Sequence, residues 1–161
     1  MTAKSDLLDE LAASPPLAEK LGAVRTGAAA VAFEHVVENA RPVLAALIAR
    51  VAKTRVWIVC ADVRAQESVH NELLHWRPDA LFFPEADRAP VEGALPDPET
   101  AAERLALVQT PAASRKKEIT VLTHASLDDD VPAPAALKKL VIKLARGCAS
   151  NRSRHRPAVA R

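Results

Sequence analysis

Aromatic residues are scarce in this chain: they make up 3% of its 161 residues, and tyrosine is absent. Because 49% of the residues are hydrophobic all the same, the core must be built mainly from Leu, Val, Ile and Ala. This hydrophobic content excludes an intrinsically disordered chain. The length indicates one domain with a buried core.

Cysteine and long apolar runs are also scarce. The two cysteines, Cys60 and Cys148, match no zinc or disulfide spacing. Cys60 ends an apolar segment, which predicts a buried and unreactive thiol. No run approaches the ~18 apolar residues of a membrane span, and the polar N-terminus has no apolar signal-peptide segment. We therefore expect a cytoplasmic protein without a membrane partner.

Glycine is limited to four residues, which restricts where a nucleotide could bind. A phosphate-binding loop needs glycines for close backbone approach, a lysine for the phosphates and a Ser or Thr for magnesium. Residues 22–29 have the glycine spacing, but Ala28 and Ala29 replace both working side chains. A better-placed loop comes directly before the helix that leads into the first strand: Val36, Val37, Glu38, Asn39, Ala40 and Arg41. It contains no glycine, lysine or hydroxyl, and Glu38 would repel phosphate, so we expect no bound cofactor.

No constellation of side chains indicates catalysis or a metal site. Asp128, Asp129 and Asp130 could suggest a metal ligand set, but a solvated acidic loop is the favoured interpretation. The histidines show no ligand spacing with cysteines or carboxylates, and we expect His70 and His75 on the surface. Glu99 lies one helical turn before Glu103-Arg104, which predicts local ion pairs within that helix.

Helical spacing of apolar residues and capping residues predict the helices. They are residues 5–11 with Ser5 as N-cap and a stop before Pro15, residues 41–53, residues 62–76 with Asp62 as N-cap, and a helix that begins at Pro98 with Asp97 as N-cap. In the last helix we expect Ala101, Leu105 and Val108 to face inward.

Short apolar segments rich in β-branched residues predict the strands. They are residues 55–60, 81–83, 119–123 and 140–144, while residues 28–33 are ambiguous between strand and helix. Strands that alternate with helices predict an α/β fold with a mostly parallel sheet and helices on both faces. Trp57 and Trp76 are expected in the core.

Four segments, in order, carry a resemblance: RVWIVCADVRAQESVHNELLHW, LFFPEADRAPVEG, PDPETAAERLALVQ and EITVLTHASL. They resemble the N-terminal module of bacterial transcription-repair coupling factor, which is itself similar to the first domain of the excision-nuclease subunit UvrB. The matching pieces are Phe83-Pro84-Glu85, Glu103-Arg104-Leu105 and Thr123-His124-Ala125-Ser126-Leu127. The resemblance covers residues 33–147.

The resemblance implies a degenerate helicase-like fold without its own ATPase, hence a scaffold rather than an enzyme. Residues 1–26 would form an N-terminal helical segment, residues 27–147 the degenerate helicase-like α/β domain, and residues 148–161 a basic, disordered tail. In the full-length family this module packs beside a small inserted domain that recruits UvrA to stalled RNA polymerase. A separate motor translocates the DNA.

The long connection between Pro84 and Asp97 is also interpreted through the resemblance. In UvrB relatives a DNA-clamping hairpin with exposed aromatic residues is inserted there. This chain has no aromatic residue between those two positions. Since stacking on unpaired bases needs aromatic faces, we expect damage verification to be absent.

Beyond Gly147 the family pattern stops, and a sequence rich in arginine follows. We expect a truncated or frame-shifted coupling factor that lacks the UvrA-contacting insert, the polymerase-binding domain and the motor. A sheet without its later strands is expected to expose an unpaired edge.

Two alternatives to the scaffold hypothesis stay open. The net charge of +2 does not by itself indicate a nucleic-acid partner, but the basic tail favours a helicase-like accessory protein that binds DNA. The candidate nucleic-acid contacts are Arg88, Arg152, Arg154 and Arg156. An enzyme of an unrelated α/β type is the remaining alternative.

Overall fold

The protein is described from a computed structural model, in which residues 3–86, 97–109, 118–133 and 135–136 are defined. The chain divides into two compact units, Met1–Val131 and Pro132–Arg161. In the second unit the backbone N–H of Ala136 donates to the carbonyl of Ala133, which closes a single turn. All that follows concerns the first unit.

The elements of the first unit are helices α1 (Ala3–Ala13), α2 (Pro15–Thr26), α3 (Arg41–Val51), α4 (Val63–Leu73), α5 (Pro98–Gln109) and α6 (His124–Asp128), and strands β1 (Val56–Cys60), β2 (Leu81–Phe82) and β3 (Ile119–Thr123). A 3-10 turn, Glu38–Ala40, leads directly into α3. The predicted helices at 41–53 and 62–76 and the strands at 55–60, 81–83 and 119–123 are thereby confirmed, with shifts of a few residues at their ends. The predicted strand at 140–144 lies outside the described residues.

The three strands form one parallel sheet in the order β1-β3-β2. In the ladder of β1 and β3, Val56 is paired with Ile119 and Cys60 with Thr123. The central strand β3 is the most deeply buried, because Ile119 and Val121 are both fully inaccessible. The parallel arrangement agrees with the α/β fold predicted from the alternation of strands and helices.

One face of the sheet is covered by α3 and α4. The buried cluster on this face contains Ala46 and Ala49 of α3 and Leu73 of α4, packed against Ile119 and Val121. Alanines at the contact let α3 approach the sheet closely. The larger residues of α3 lie on its other side, where Leu47 packs against α1 and α2.

Helices α1 and α2 complete this second cluster, which is centred on Leu8, Leu21 and Leu47. The prediction that Ser5 caps the first helix is wrong, because α1 begins two residues before it. Pro15 follows the end of α1 and is also the first residue of α2. Proline is tolerated there because the backbone N–H that it lacks would have no acceptor within the first turn of the helix. Gly27 ends α2 with φ of 83°, a left-handed conformation that suits glycine.

The other face of the sheet is only partly covered. Trp57 is 55% exposed and Val59 47% exposed, whereas Leu122 of the central strand is buried. The expectation that Trp57 lies in the core is therefore wrong, and the described helices leave Trp57 and Val59 exposed on this face. Trp76, by contrast, is half-buried and packs against both buried clusters, as predicted.

Residues 28–33, ambiguous from sequence, form neither a strand nor a helix. The same holds for the residues that follow up to Val37, and within this segment His35 adopts a positive φ of 58°. This left-handed conformation is tolerated by histidine more readily than by β-branched residues.

Candidate functional site

The carboxyl ends of the three strands define the region where ligands bind in open parallel sheets. Here that edge is formed by Cys60, Phe82 and Thr123, the last residues of β1, β2 and β3. The residues that immediately follow β2 and β3 include two of the pieces that carry the coupling-factor resemblance.

Arg104 of α5 joins these pieces. Its guanidinium carbon lies 4.6 Å from the centroid of the Phe83 ring, and its Nη1 donates a hydrogen bond to the carbonyl of Pro84. Its Nη2 lies 3.1 Å from Oδ2 of Asp129, and both side chains of this ion pair are only 11% exposed. Arg104 therefore connects α5 to the ends of β2 and α6 through three different contacts.

Asp129 accepts a further hydrogen bond, from the segment that follows β2. Its Oδ2 lies 3.2 Å from the backbone N–H of Ala86, the last described residue before the long connection. The prediction of a solvated acidic loop is wrong for Asp129, although Asp128 and Asp130 are exposed. The partner of Arg104 is thus a residue distant in sequence, whereas an ion pair within α5 was expected.

Gln66 of α4 forms a second connection at the same edge. It is fully buried, and its Nε2 donates to the carbonyls of Phe83 (2.8 Å) and Val121 (3.0 Å). Since both partners are acceptors, the orientation of the amide is fixed by them. Its Oε1 has no hydrogen-bond partner in the described part of the chain. Gln66 therefore positions the start of α4 against the ends of β2 and β3.

Thr123 and Ser126, both within the predicted Thr-x-x-Ser piece, are buried and bonded to each other. The side chain of Thr123 accepts from the backbone N–H of Ser126 at 3.2 Å, and the two hydroxyls are 3.0 Å apart. Thr123 is thus the N-cap of α6. The two hydroxyl groups therefore stabilise the turn between β3 and α6.

His70 also contributes to this side of the molecule. Its Nε2 lies 3.2 Å from the carbonyl of Ala80, and its ring meets Phe82 edge-on at 5.3 Å between centroids. The surface position expected for His70 is therefore wrong, while His75 is exposed as expected. The histidine links α4 to the start of β2.

The predicted phosphate-loop position, residues 36–41, lies beside the carboxyl end of β1. A cavity of about 230 Å³ is found there, and its polar lining includes Glu38, Asn39, Arg41 and Glu72. The 3-10 turn Glu38–Ala40 occupies the start of α3, so an acidic side chain lies where a helix N-terminus would otherwise favour an anion. Arg41, Asn39 and Ser68 offer donors in this cavity, but Glu38 and Glu72 place two carboxylates beside them, and residues 36–41 have neither the glycines nor the lysine of a phosphate-binding loop.

Cys60 also lines this cavity. Burial raises the pKa of its thiol above the usual value, and the nearby Asp62 carboxylate acts in the same direction. A thiol with a raised pKa is a poor nucleophile at neutral pH. The sequence predicted a buried thiol at Cys60, and the structure confirms its burial.

The predicted nucleic-acid contacts Arg88, Arg152, Arg154 and Arg156 lie outside the described residues. Within the described ranges, no group of three or more His, Cys, Asp or Glu side chains is arranged to hold a metal ion. None of the helices in those ranges is both long enough and apolar enough to cross a membrane.

Sequence reasoning missed Gln66 and Asp129 as organising residues. For Gln66 a signal existed, because it lies three residues before Val69 and seven before Leu73, on the apolar stripe of α4. A polar residue in that stripe indicates a buried hydrogen bond. For Asp129 no local signal distinguished it from its two acidic neighbours.

No family model matches the chain, and no curated protein or solved structure matches it. The coupling-factor resemblance therefore rests on the sequence segments alone, and the structure establishes an α/β fold with a small parallel sheet.

Proposed function

We propose that this chain is a non-catalytic scaffold module of a transcription-repair coupling factor that acts in nucleotide excision repair. The observation that carries the proposal is the composition of the phosphate-loop position. Residues 36–41 stand at the start of a helix beside the end of a parallel strand, where helicase-like folds bind a nucleotide. Glu38 and Glu72 line the cavity at that place, and Arg41 is the one cation among the described residues of its lining.

A contact between the segments that carry the coupling-factor resemblance supports the same proposal. Phe83-Pro84-Glu85 and Glu103-Arg104-Leu105 are separated in sequence, yet Arg104 contacts both Phe83 and Pro84. The third piece ends at Leu127, two residues before Asp129, the acidic partner of Arg104. A scaffold role explains this arrangement, because these side chains are occupied in holding elements together.

The proposal includes a degenerate helicase-like fold and, in the full-length family, UvrA, RNA polymerase and DNA as partners. It assigns no catalytic residue and no cofactor to this chain.

The experiment that tests the proposal is nucleotide binding by thermal shift, followed by hydrolysis assays with and without DNA. Because a ligand that binds only the folded state must raise the melting temperature, we expect no shift with ATP and magnesium. The matched control is Arg41→Ala, which removes the cation from the cavity. A shift in the parent chain that disappears in this variant, accompanied by turnover, would overturn the scaffold assignment.

The alternative function is a helicase-like accessory protein that binds DNA through the basic tail. It is tested by measuring duplex binding at several salt concentrations for the full chain and for a variant that lacks residues 148–161. Affinity that falls steeply with salt and is lost on deletion would favour this alternative. Equal binding by both chains would exclude it.

A further inference from the structure

The outer edge of β1 has main-chain groups available for pairing. The backbone N–H of Val56 donates to the carbonyl of Glu118 at 2.9 Å, and Val56 is in register with Ile119. In a parallel ladder alternate residues bond the same neighbour, so Val56, Ile58 and Cys60 face β3. The N–H and C=O groups of Trp57 and Val59 therefore point away from β3, and they have no hydrogen-bond partner among the described residues.

Two of the features by which sheet edges are often protected are missing from the sequence of β1. β1 contains no lysine, no proline and no other charged residue. Its two outward-bonding residues also carry the exposed apolar side chains, Trp57 and Val59. An open groove of about 620 Å³ adjoins Val56, Trp57 and Ile58 of β1. Its other lining residues are mostly apolar, with two polar ones among them: Phe33, His35, Val36, Arg41, Leu44, Ala45 and Ile48.

We propose that β1 pairs with β1 of a second copy of this chain in antiparallel orientation, with Ile58 on the two-fold axis. In this register Trp57 is directly opposite Val59 of the second copy, and Val59 is opposite Trp57 of the second copy. Each of these two pairs exchanges both N–H···O=C bonds, because both members have main-chain groups on the outer edge. All the outward main-chain groups of β1 are thereby used, and two three-stranded sheets become one.

The side chains of the edge complement each other in this orientation. An aromatic residue opposite a β-branched residue is a stabilising cross-strand pair, and the two-fold axis generates it twice. The charges that flank β1 have opposite signs, with Arg55 before it and Asp62 after it. Antiparallel pairing brings the Arg55 end of one copy to the Asp62 end of the other, whereas parallel pairing would place like charges side by side.

The first test is the oligomeric state of the full chain, measured by sedimentation at protein concentrations up to several hundred micromolar. Such high concentrations are chosen because an interface formed by two short strands falls in the size range of weak, transient contacts. We expect a concentration-dependent dimer. The double variant Trp57→Lys/Val59→Lys places like charges directly opposite each other, so its dissociation constant should rise at least about tenfold.

The matched control is Leu7→Lys/Leu105→Lys, which adds the same charge at two exposed apolar positions, neither of which lines the groove beside β1. It should dimerise like the parent chain. Circular dichroism of both double variants confirms that they are folded, since all four positions are exposed.

The register is tested by disulfide trapping in a Cys148→Ser background. Residues in a hydrogen-bonded antiparallel pair have Cα atoms about 5.5 Å apart, within the range that a disulfide bridges. A mixture of Trp57→Cys and Val59→Cys chains should therefore cross-link on oxidation, while each variant alone should cross-link at least about fivefold less, because the two-fold axis separates identical positions.

Three results would each overturn the proposal. The first is a monomer at the highest concentration, and the second is a dimer that the two lysines do not weaken. The third is hydrogen exchange in which the amides of Trp57 and Val59 are already protected in dilute, monomeric protein, because the edge would then be covered by another part of the same chain.

Discussion

The guanidinium carbon of Arg104, in α5, lies 4.6 Å from the centroid of the Phe83 ring, which immediately follows β2. The ring removes water from one side of the cation, and a desolvated cation–π contact of this kind contributes on the order of 1–2 kcal/mol. The remaining donors of the guanidinium reach the Pro84 carbonyl and the Asp129 carboxylate. One side chain thus holds α5 to the end of β2 and to the residues after α6.

Replacing Arg104 should destabilise the fold more than an ordinary surface substitution. Arg104→Ala removes the guanidinium that faces Asp129 at an 11% exposed position, so we expect a loss of about 3 kcal/mol in the free energy of unfolding. Arg104→Lys keeps the charge but cannot span two acceptors, and should cost about 1–2 kcal/mol. Urea denaturation measures both losses.

The control for this series is Arg64→Ala, because Arg64 is exposed and should change stability by less than about 0.5 kcal/mol. A double-mutant cycle with Asp129→Ala should return a coupling energy of at least about 1 kcal/mol. Additive effects of the two substitutions would contradict a direct interaction.

Gln66 should also be sensitive to substitution, for a different reason. Gln66→Leu fits the buried stripe of α4 but removes the donor for two buried carbonyls, so we expect a loss of about 2 kcal/mol. Gln66→Glu buries a carboxylate against the same carbonyls and should be worse near pH 7 than near pH 5, since the protonated acid can donate one bond. Thermal unfolding at both pH values distinguishes the two variants, and Glu67→Gln on the exposed side of the same turn should be neutral.

The stability of the fold should fall in acid partly through two carboxylates with lowered pKa values. The hydrogen bond from Arg77 holds the pKa of Asp79 below its usual value, and the backbone N–H of Thr100 does the same for Asp97. A carboxylate whose folded pKa is depressed contributes stability that is complete above its unfolded pKa of about 3.9, and loses it as pH falls through the lower folded pKa.

This pH dependence can be assigned with Asp79→Asn and Asp97→Asn. Each variant should show a shallower decrease of melting temperature between about pH 4 and pH 2 than the parent chain. Asn also serves as an N-cap, so Asp97→Asn should retain most of its stability at neutral pH. Asp130→Asn, at an exposed carboxylate, is the control, and an unchanged slope in all three variants would contradict the assignment.

Cys60 should react slowly with thiol reagents in the folded protein. Burial raises the pKa of its thiol, and the thiolate is the reactive form. With Cys148→Ser as background, we expect the rate of disulfide exchange at pH 7 to be at least about a hundredfold below that of the same chain in denaturant. A rate equal to that of the unfolded chain would mean that β1 is not formed in solution.

The elements of this fold were predictable where the signal is local. Asp62 bonds the backbone N–H of Ala65, as the capping prediction requires, and Pro98 follows its cap Asp97 at the first helical position. The predicted stop before Pro15 is confirmed, since α1 ends at Ala13. The same signal did not show that a second helix begins at Pro15, because proline is equally compatible with the end of one helix and the first turn of the next.

Non-local relationships account for the remaining errors. Arg104 and Asp129 are separated by 25 positions, and nothing near either residue marks the other as its partner. The apolar sequence of β1 indicates a strand, but whether Trp57 is covered depends on helices elsewhere in the chain. Leu105, expected to face inward, is exposed, whereas Leu107 lines a cavity of about 440 Å³ over the second face of the sheet.

The contrast between Trp57 and Trp76 gives the protein two natural optical probes. The chain has two tryptophans and no tyrosine, so its ultraviolet emission comes almost entirely from these two rings. One ring is largely in water, while the other lies between the sheet cluster and the helical cluster. A water-soluble quencher will therefore reduce the long-wavelength part of the spectrum selectively, and the short-wavelength part that persists reports whether the two clusters remain in contact as the protein unfolds.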